Sequence, residues 1–238
     1  MRKVALRGLF ARKTRLVLTA LAVALGVTLI AGTYVFTDTI NGSFDRIFTA
    51  AYEKTDVAVT PNTDVEADDF QSVDPIPAEV LDRIKAVPEV AAASGSVFDA
   101  AGSILDKQGD RVSAGAPNFI ASIQDIDRFE TFTVADGRLP RTAEEVAIDR
   151  STAKRKDFEV GDTVVVVSQK PAKRYRIVGL VGLVGTDNYG GAAVALMTLP
   201  EAQRISGKDG AFDQIDVAAE PGTSPSELRD AVRAAVPA

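Results

Sequence analysis

Few residues in this sequence are able to carry chemistry, and their types set narrow limits. The chain contains no His and no Cys. That removes the commonest general base, the commonest transition-metal ligand and every thiolate nucleophile. Zinc hydrolases, Ser-His-Asp hydrolases and Cys-His proteases are thereby excluded. What remains is carboxylate chemistry. Asp64, Glu66, Asp68 and Asp69 approach the spacing of a calcium loop, but no glycine bends its middle and its twelfth position is Pro75 in place of Glu. The cluster reads as a solvated acidic loop. Glu144 and Glu145 are adjacent, so they point to opposite faces of a strand and make no acid/base pair. Gly207-Lys208 lacks the upstream glycine of a phosphate loop (position 202 is Ala), and Asp209 stands where Ser or Thr is needed. Gly179, Gly182 and Gly185 do not form the dinucleotide fingerprint. The sequence assigns no catalytic residue, no cofactor and no metal, and does not read as that of an enzyme.

The elements that carry these residues are clearer than the residues themselves. Residues 1–15 hold six basic side chains (Arg2, Lys3, Arg7, Arg12, Lys13, Arg15) and no acid, and residues 16–36 hold no charge at all. The rest carries 21 basic and 33 acidic side chains, a net −12. An acidic body of that kind makes nucleic acid an unexpected partner. The uncharged run Leu16–Phe36 has 21 residues, and as a helix it spans roughly 31 Å, matching a bilayer core of about 30 Å. Tyr34 and Phe36 lie at its far end, where aromatic rings favour the interface. The cations precede the run and Asp38 and Asp45 follow it, so the positive-inside bias puts the N-terminus in the cytoplasm and residues 37–238 outside, with Arg12, Lys13 and Arg15 anchoring the orientation. A cleaved secretory signal is the rival. Ala22-Val-Ala24 has the form of a cleavage site, but a cut there strands Leu25–Phe36 as an apolar stub, so a permanent anchor is the preferred reading. Ala22/Gly26 and Ala20/Ala24 are small-xxx-small pairs that let helix backbones approach closely.

Beyond the span, Ile40, Phe44, Ile47, Phe48 and Ala51 recur at helical spacing, with Asn41, Asp45, Arg46 and Thr49 between them. The spanning helix is expected to continue outward as a stalk over residues 37–52, one side of which packs on a second stalk or helix. A short surface helix of the outer domain is the plainer alternative. From Asp56 the pattern alternates: a strand Asp56–Thr60, a helix Pro77–Val87 closed by Pro88, apolar segments around a Gly109-Asp110 hairpin turn, and a turn at Asp136–Pro140. There follow a strand Glu145–Asp149, a helix 150–158, strands at 163–168, 174–181 and 192–199, and a short helix 200–206. The body is therefore expected to be mixed α+β.

One internal echo stands out. Asp56-Val-Ala-Val-Thr-Pro61 and Asp216-Val-Ala-Ala-Glu-Pro221 each precede a helix that ends in Val-Pro. The first copy continues into a strand near 91–98, and the second reaches Ala238 one strand short of a βαβ unit. An unpaired half-unit leaves a sheet edge open, so the chain reads as the N-terminal piece of something longer.

The stretch Leu6-Arg-Gly-Leu-Phe-Ala-Arg-Lys-Thr-Arg15, running into Leu18-Thr-Ala-Leu-Ala-Val-Ala-Leu-Gly26, resembles the first helix of FtsX/MacB-type ABC transporter permeases. The downstream series is similar to their extracytoplasmic core domain: Gly137-Arg-Leu-Pro140, Glu145–Asp149, Val160-Gly-Asp-Thr-Val164, Tyr175–Val181 and Met197-Thr-Leu-Pro-Glu-Ala-Gln203. The resemblance covers nearly the whole chain. It implies a two-lobed outer domain, with an outer lobe from about residues 53–100 and 212–238 flanking an inserted β-rich lobe at about 101–211. It further implies an ABC ATPase subunit and a second permease subunit as partners besides the lipid bilayer. ATPase cycling would move the outer domains for export or for regulation of partner proteins, with no catalytic residue in the permease. The chain departs from the family in having a single span, so it is expected to be a permease's N-terminal part. A self-contained single-pass protein whose outer domain binds a partner is the other reading.

Overall fold

A computed structural model describes residues 13–52, 54–61, 74–113, 116–183 and 191–236 of the 238. The chain divides into two units, Met1–Phe48 and Thr49–Ala238. Among the described residues the first unit consists of helix α1, which runs without a break through Lys13–Tyr52 and so ends a few residues inside the second. At 1.5 Å per residue its 40 residues extend about 60 Å, twice the thickness of a bilayer core. Its segment Val17–Val35 is apolar and long enough to cross a membrane, and none of it is buried within the protein.

The second unit is the α+β body. Its strands are β1 (Val57–Val59), β2 (Ile76–Pro77), β3 (Val90–Ser96), β4 (Phe98–Asp99), β5 (Ser103–Leu105), β6 (Asn118–Ser122) and β7 (Phe132–Gly137). They continue with β8 (Glu145–Asp149), β9 (Thr163–Val167), β10 (Lys173–Leu183), β11 (Ala193–Met197), β12 (Ala211–Phe212) and β13 (Gln214–Ala219). The helices are α2 (Ala78–Lys85), α3 (Arg150–Lys156), α4 (Leu199–Ile205) and α5 (Pro225–Ala235), with one 3-10 turn at Asp127–Phe129.

Two sheets organise the body. A three-stranded antiparallel sheet has the order β1-β13-β3. Ile215 and Val217 on its central strand face Val57, Val59 and Ala93, and this apolar face joins the core with Val80, Leu81 and Ile84 of α2 and Leu228 and Val232 of α5. Both helices begin as their sequences demand. Pro77 stands immediately before the first turn of α2, which carries Glu79, and α5 opens on a full capping box in which Ser224 and Glu227 exchange hydrogen bonds. The larger mixed sheet has the order β4-β6-β11-β8-β10-β9-β5, and β7 also pairs with β10. Strands β8 and β11 lie at its centre and are buried almost throughout, which is why their Ala/Val/Ile runs show no alternation.

Three expectations are corrected. The second half of the internal echo has no open edge: β13 is the central strand, paired with β1 on one side and β3 on the other. The two echo copies complete each other, so the supposed open edge gives no support for further chain. Gly109-Asp110 does turn the chain, with Asp106 Oδ1 accepting from the Gln108 and Asp110 amides. The hairpin, however, closes with a single bridge, Leu105 to Arg111, while β5 pairs with β9 and β6 joins β11 in parallel. The turn itself holds, closed by the Asp106 amide to Asp110 O (2.8 Å) and the Val112 amide to Ile104 O (3.0 Å), while the strands beyond it pair where the core places them. Finally, β7 runs into the segment read as a turn, with only Gly137 (φ +71°) taking a turn conformation.

Candidate functional site: the junction segment and the motif frame

The site best defined by geometry is where the chain leaves α1 and enters the body. Lys54, Thr55 and Asp56 lead directly into β1, and every one of them is held. The Asp56 amide donates to Val217 O (3.0 Å), and Asp56 Oδ2 accepts from the Ala219 amide (2.8 Å). Arg128, on the 3-10 turn, donates from Nε to Lys54 O (3.0 Å) and from Nη2 to Asp56 Oδ2 (3.1 Å). Thr55 Oγ1 makes a longer hydrogen bond to Asp216 Oδ1 (3.4 Å), which also accepts from Gln214 Nε2 (2.7 Å). Gln124 Nε2 donates to Asp216 Oδ2 (2.9 Å), and the Gln124 amide donates to Glu130 Oε2 (2.9 Å). One connector, residues 123–130, thus ties the junction segment to the centre of the small sheet. Burial pushes the carboxyls of Asp216 and Glu130 above their ordinary range. This arrangement holds a chain segment in place and offers no nucleophile or base directed at a substrate.

A second set of contacts accounts for the motif series. Gly137 and Gly179 face each other between β7 and β10. A Cβ on Gly179 would stand 2.1 Å from Arg138 O, and one on Gly137 would stand 2.3 Å from Val178 O. Neither position accepts a side chain. Arg138 then forms a bidentate ion pair with Glu145 at the start of β8, and the Arg141 amide adds a bond to the same carboxylate (2.8 Å). The Arg138 side chain, ahead of that amide and charge proximity, holds Glu145 at about 2. Val160-Gly-Asp162 folds back on β10 through the Gly161 amide to Ile177 O and the Ile177 amide to Asp162 O, both 2.8 Å. Asp149 closes the frame: Oδ1 caps α3 through the Thr152 amide (2.8 Å), and Oδ2 accepts from the Val194 amide (2.9 Å).

Glu201 gathers the most side-chain partners in the frame, with 2% of its surface exposed. It accepts from Tyr175 (2.6 Å), Lys173 (3.0 Å) and both Nε and Nη2 of Arg204 (2.8 and 2.7 Å). Burial opposes its charge, but the bonds from Arg204, Tyr175 and Lys173 prevail and bring its carboxyl to about 2. The same burial and the Glu201 charge push the Tyr175 hydroxyl well above its usual range. The motif pieces are therefore a framework that fixes β8, β10, α3 and α4 together.

The residues expected to carry position-dependent roles lie on α1 or before it. Arg12 and the acidic group Asp64, Glu66, Asp68 and Asp69 fall outside the described residues. Lys13 is the first residue of α1, and Arg15 is exposed. Ile40, Phe44, Ile47 and Phe48 all lie on the continuous α1 backbone, while their side-chain packing falls outside the described residues. Sequence reasoning missed the junction cluster. Asp216 was visible only as part of an echo, and Gln124, Arg128 and Glu130 carry no motif. Among the described residues, no group of three His, Cys, Asp or Glu could hold a metal.

Residues 16–235 match the family model described as the MacB-like periplasmic core domain. Among solved structures, the chain is similar to the periplasmic region of MacB from Actinobacillus actinomycetemcomitans at 12% identity and a TM-score of 0.53, covering 76% of this chain and 83% of that one. It is also similar to the extracellular domain of the noncanonic ABC-type transporter YknZ from Gram-positive bacteria, at 11% identity and a TM-score of 0.44, covering 73% and 86%. No curated protein matches. The family match begins inside the apolar helix and runs to the end of α5, which makes this a membrane protein with an extracytoplasmic domain and a component of the FtsX/MacB permease type. The chain belongs to the MacB-like periplasmic core domain family.

Proposed function

We propose that the chain is a permease subunit of an ATP-driven ABC transporter in which a separate ATPase, cycling in the cytoplasm, moves the extracytoplasmic body through α1. The observation that carries this reading is the unbroken helix Lys13–Tyr52. It is about twice as long as a bilayer needs, and its end leads within a few residues into the hydrogen-bonded Lys54–Asp56 segment. In this reading displacement of α1 reaches the body through the Lys54–Asp56 segment, which hydrogen bonds hold to β13 and to the 3-10 turn. In this reading the N-terminus is cytoplasmic, with Arg12, Lys13 and Arg15 at the inner face. Residues 37–52 form the stalk, and Ile40, Phe44, Ile47 and Phe48 face the stalk of a second permease subunit. The body works as an outer lobe (53–100 and 212–238) carrying an inserted lobe (101–211). The output is export of a substrate or regulation of a partner protein.

The absence of cysteine makes the test direct. Single Ser43→Cys and Phe44→Cys variants of the full-length gene product are placed in native membranes. An impermeant maleimide is expected to label Ser43→Cys from outside, and Phe44→Cys is expected to crosslink between copies with a yield that changes with ATP. Copurification of a protein bearing a phosphate-loop signature completes the expectation. Outside labelling with no crosslink, no ATPase and an intact mass of 25.1 kDa would instead indicate a single-pass binding protein.

A further inference from the structure

Over β5, β9 and β10 the large sheet turns one face inward and the other to solvent. Ile104, Val164, Val166, Tyr175 and Ile177 fill the core, so alternation sends Leu105, Val165, Val167, Arg174 and Arg176 outward. Their surfaces agree: both arginines are exposed and the three aliphatic residues are half-buried. Pairing aligns them in rows. Leu105 stands across from Val165, and Val165 across from Arg174. On the other side of β5 the exposed Arg111 bridges back to Leu105. Residues directly opposite one another share a face, so one row reads Arg111, Leu105, Val165, Arg174. Arg176 lies two residues along β10, about 7 Å from Arg174.

These guanidiniums are uncompensated. Among the described residues none of the three has a carboxylate partner, and the neighbouring carboxylates are taken: Glu145 by Arg138, Asp162 by Lys107 and Asp106 by Lys156. Asp110 and Glu144 each precede a residue of this face by one, and alternation turns them away from it. The result is a cationic face on a body that carries 33 acidic and 21 basic side chains beyond residue 36. As a whole such a body repels an anionic bilayer, and it repels a second copy of itself. A segment small enough to meet this face alone feels its arginines, because salt screens the more distant acids.

The spacing sets the form of that segment. Three steps between paired positions separate Arg111 from Arg174, about 14 Å at the usual strand spacing. An extended chain covers this distance in about four residues, and its residues i, i+2 and i+4 share a face. Carboxylates at i and i+4 then meet Arg111 and Arg174, while residue i+2 comes down between them on Leu105 and Val165. We propose that this face of β5, β9 and β10 is a docking surface for an extended acidic segment of another protein, with carboxylates four residues apart and a branched aliphatic residue midway. Guanidinium forks pair with carboxylates bidentately, and the aliphatic floor supplies apolar contact. The inference concerns the body alone and stands whether or not an ATPase moves it.

The full chain in phosphatidylcholine nanodiscs is titrated against the fluorescein-labelled peptide Ser-Glu-Ser-Val-Ser-Glu-Ser, read by anisotropy. Binding is expected to weaken about 5-fold between about 50 and about 300 mM salt. It should weaken about 3-fold in Arg111→Gln or Arg174→Gln, and about 10-fold when both are replaced. A peptide with Gln for both Glu, or with its Glu residues three apart, should bind the wild type no better than the double variant binds the parent peptide. Lys85→Gln, on the exposed surface of α2, should leave binding unchanged. No saturable binding of the parent peptide, equal binding of either altered peptide, or insensitivity to the arginine substitutions overturns the proposal. So does another occupant: phosphatidylglycerol vesicles that displace the peptide through these arginines, or copies that associate in sedimentation until Arg111 and Arg174 are replaced. Should an arginine variant lose its fold, the three peptides decide on the wild-type protein.

Discussion

Replacing Glu201 by Gln removes the charge on which Lys173, Tyr175 and Arg204 converge. The carboxyl sits at about 2 in the folded protein, against 4.5 for an ordinary glutamate. A depression of that order represents about 3 kcal/mol of stability at neutral pH. The two cations are 31% and 41% exposed, so water takes up part of their charge once the carboxylate is gone. The net cost therefore falls to about 2–3 kcal/mol, near the lower bound for breaking a buried pair. In a body of this size that lowers the unfolding midpoint by about 4–10 °C. Because the folded value is depressed, this stability is present above the unfolded value of 4.5 and is lost as pH falls toward 2. Wild type and Glu201→Gln are compared by thermal unfolding of the full chain in detergent at pH 7, 4 and 2.5, and the gap is expected to close on acidification. A gap that keeps its size at pH 2.5, or a variant as stable as wild type at pH 7, refutes the reasoning.

Gly179→Ala drives a methyl into Arg138 O and should cost about 1–3 kcal/mol by displacing β7 from β10, read as a lower denaturant midpoint. Asp149→Ala removes the α3 cap and leaves the buried Val194 amide unpaired, for a loss of about 2–4 kcal/mol; calorimetry of the full chain checks it. In membranes, Phe44→Glu combined with Phe48→Glu should sharply reduce crosslinking between copies, and an unchanged yield would remove the stalk from the assembly. Arg128→Ala should scarcely alter the melting midpoint, since the ion pair is exposed, yet it should speed amide exchange at Lys54 and Thr55, because Arg128 holds the chain there.

Much of this protein was legible in its sequence because the signals are local. An uncharged run with cations before it and acids after it describes a membrane anchor without any tertiary knowledge, since each residue meets lipid or water by its own chemistry. The absence of His and Cys excluded whole reaction classes by the same logic. The helical stripe around Ile40 and Phe44 lies on an unbroken helix, and strands such as Glu145–Asp149 and Thr163–Val167 fall where turns and β-branched runs put them. What the sequence could not reveal is which distant segments meet. The Asp56 copy looked complete and the Asp216 copy one strand short, whereas the tertiary structure pairs their strands in one sheet with β13 in the middle. Gly137, Arg138, Glu145, Gly179, Tyr175 and Glu201 read as scattered weak motifs, yet they form one frame because β10 carries β7 and β9 along one edge and β8 along the other. The junction cluster of Thr55, Gln124, Glu130 and Asp216 joins residues up to 161 positions apart. Periodicity reports which face of an element is apolar, but partners at that separation are selected by the packing of the whole core, and only the folded chain brings them together.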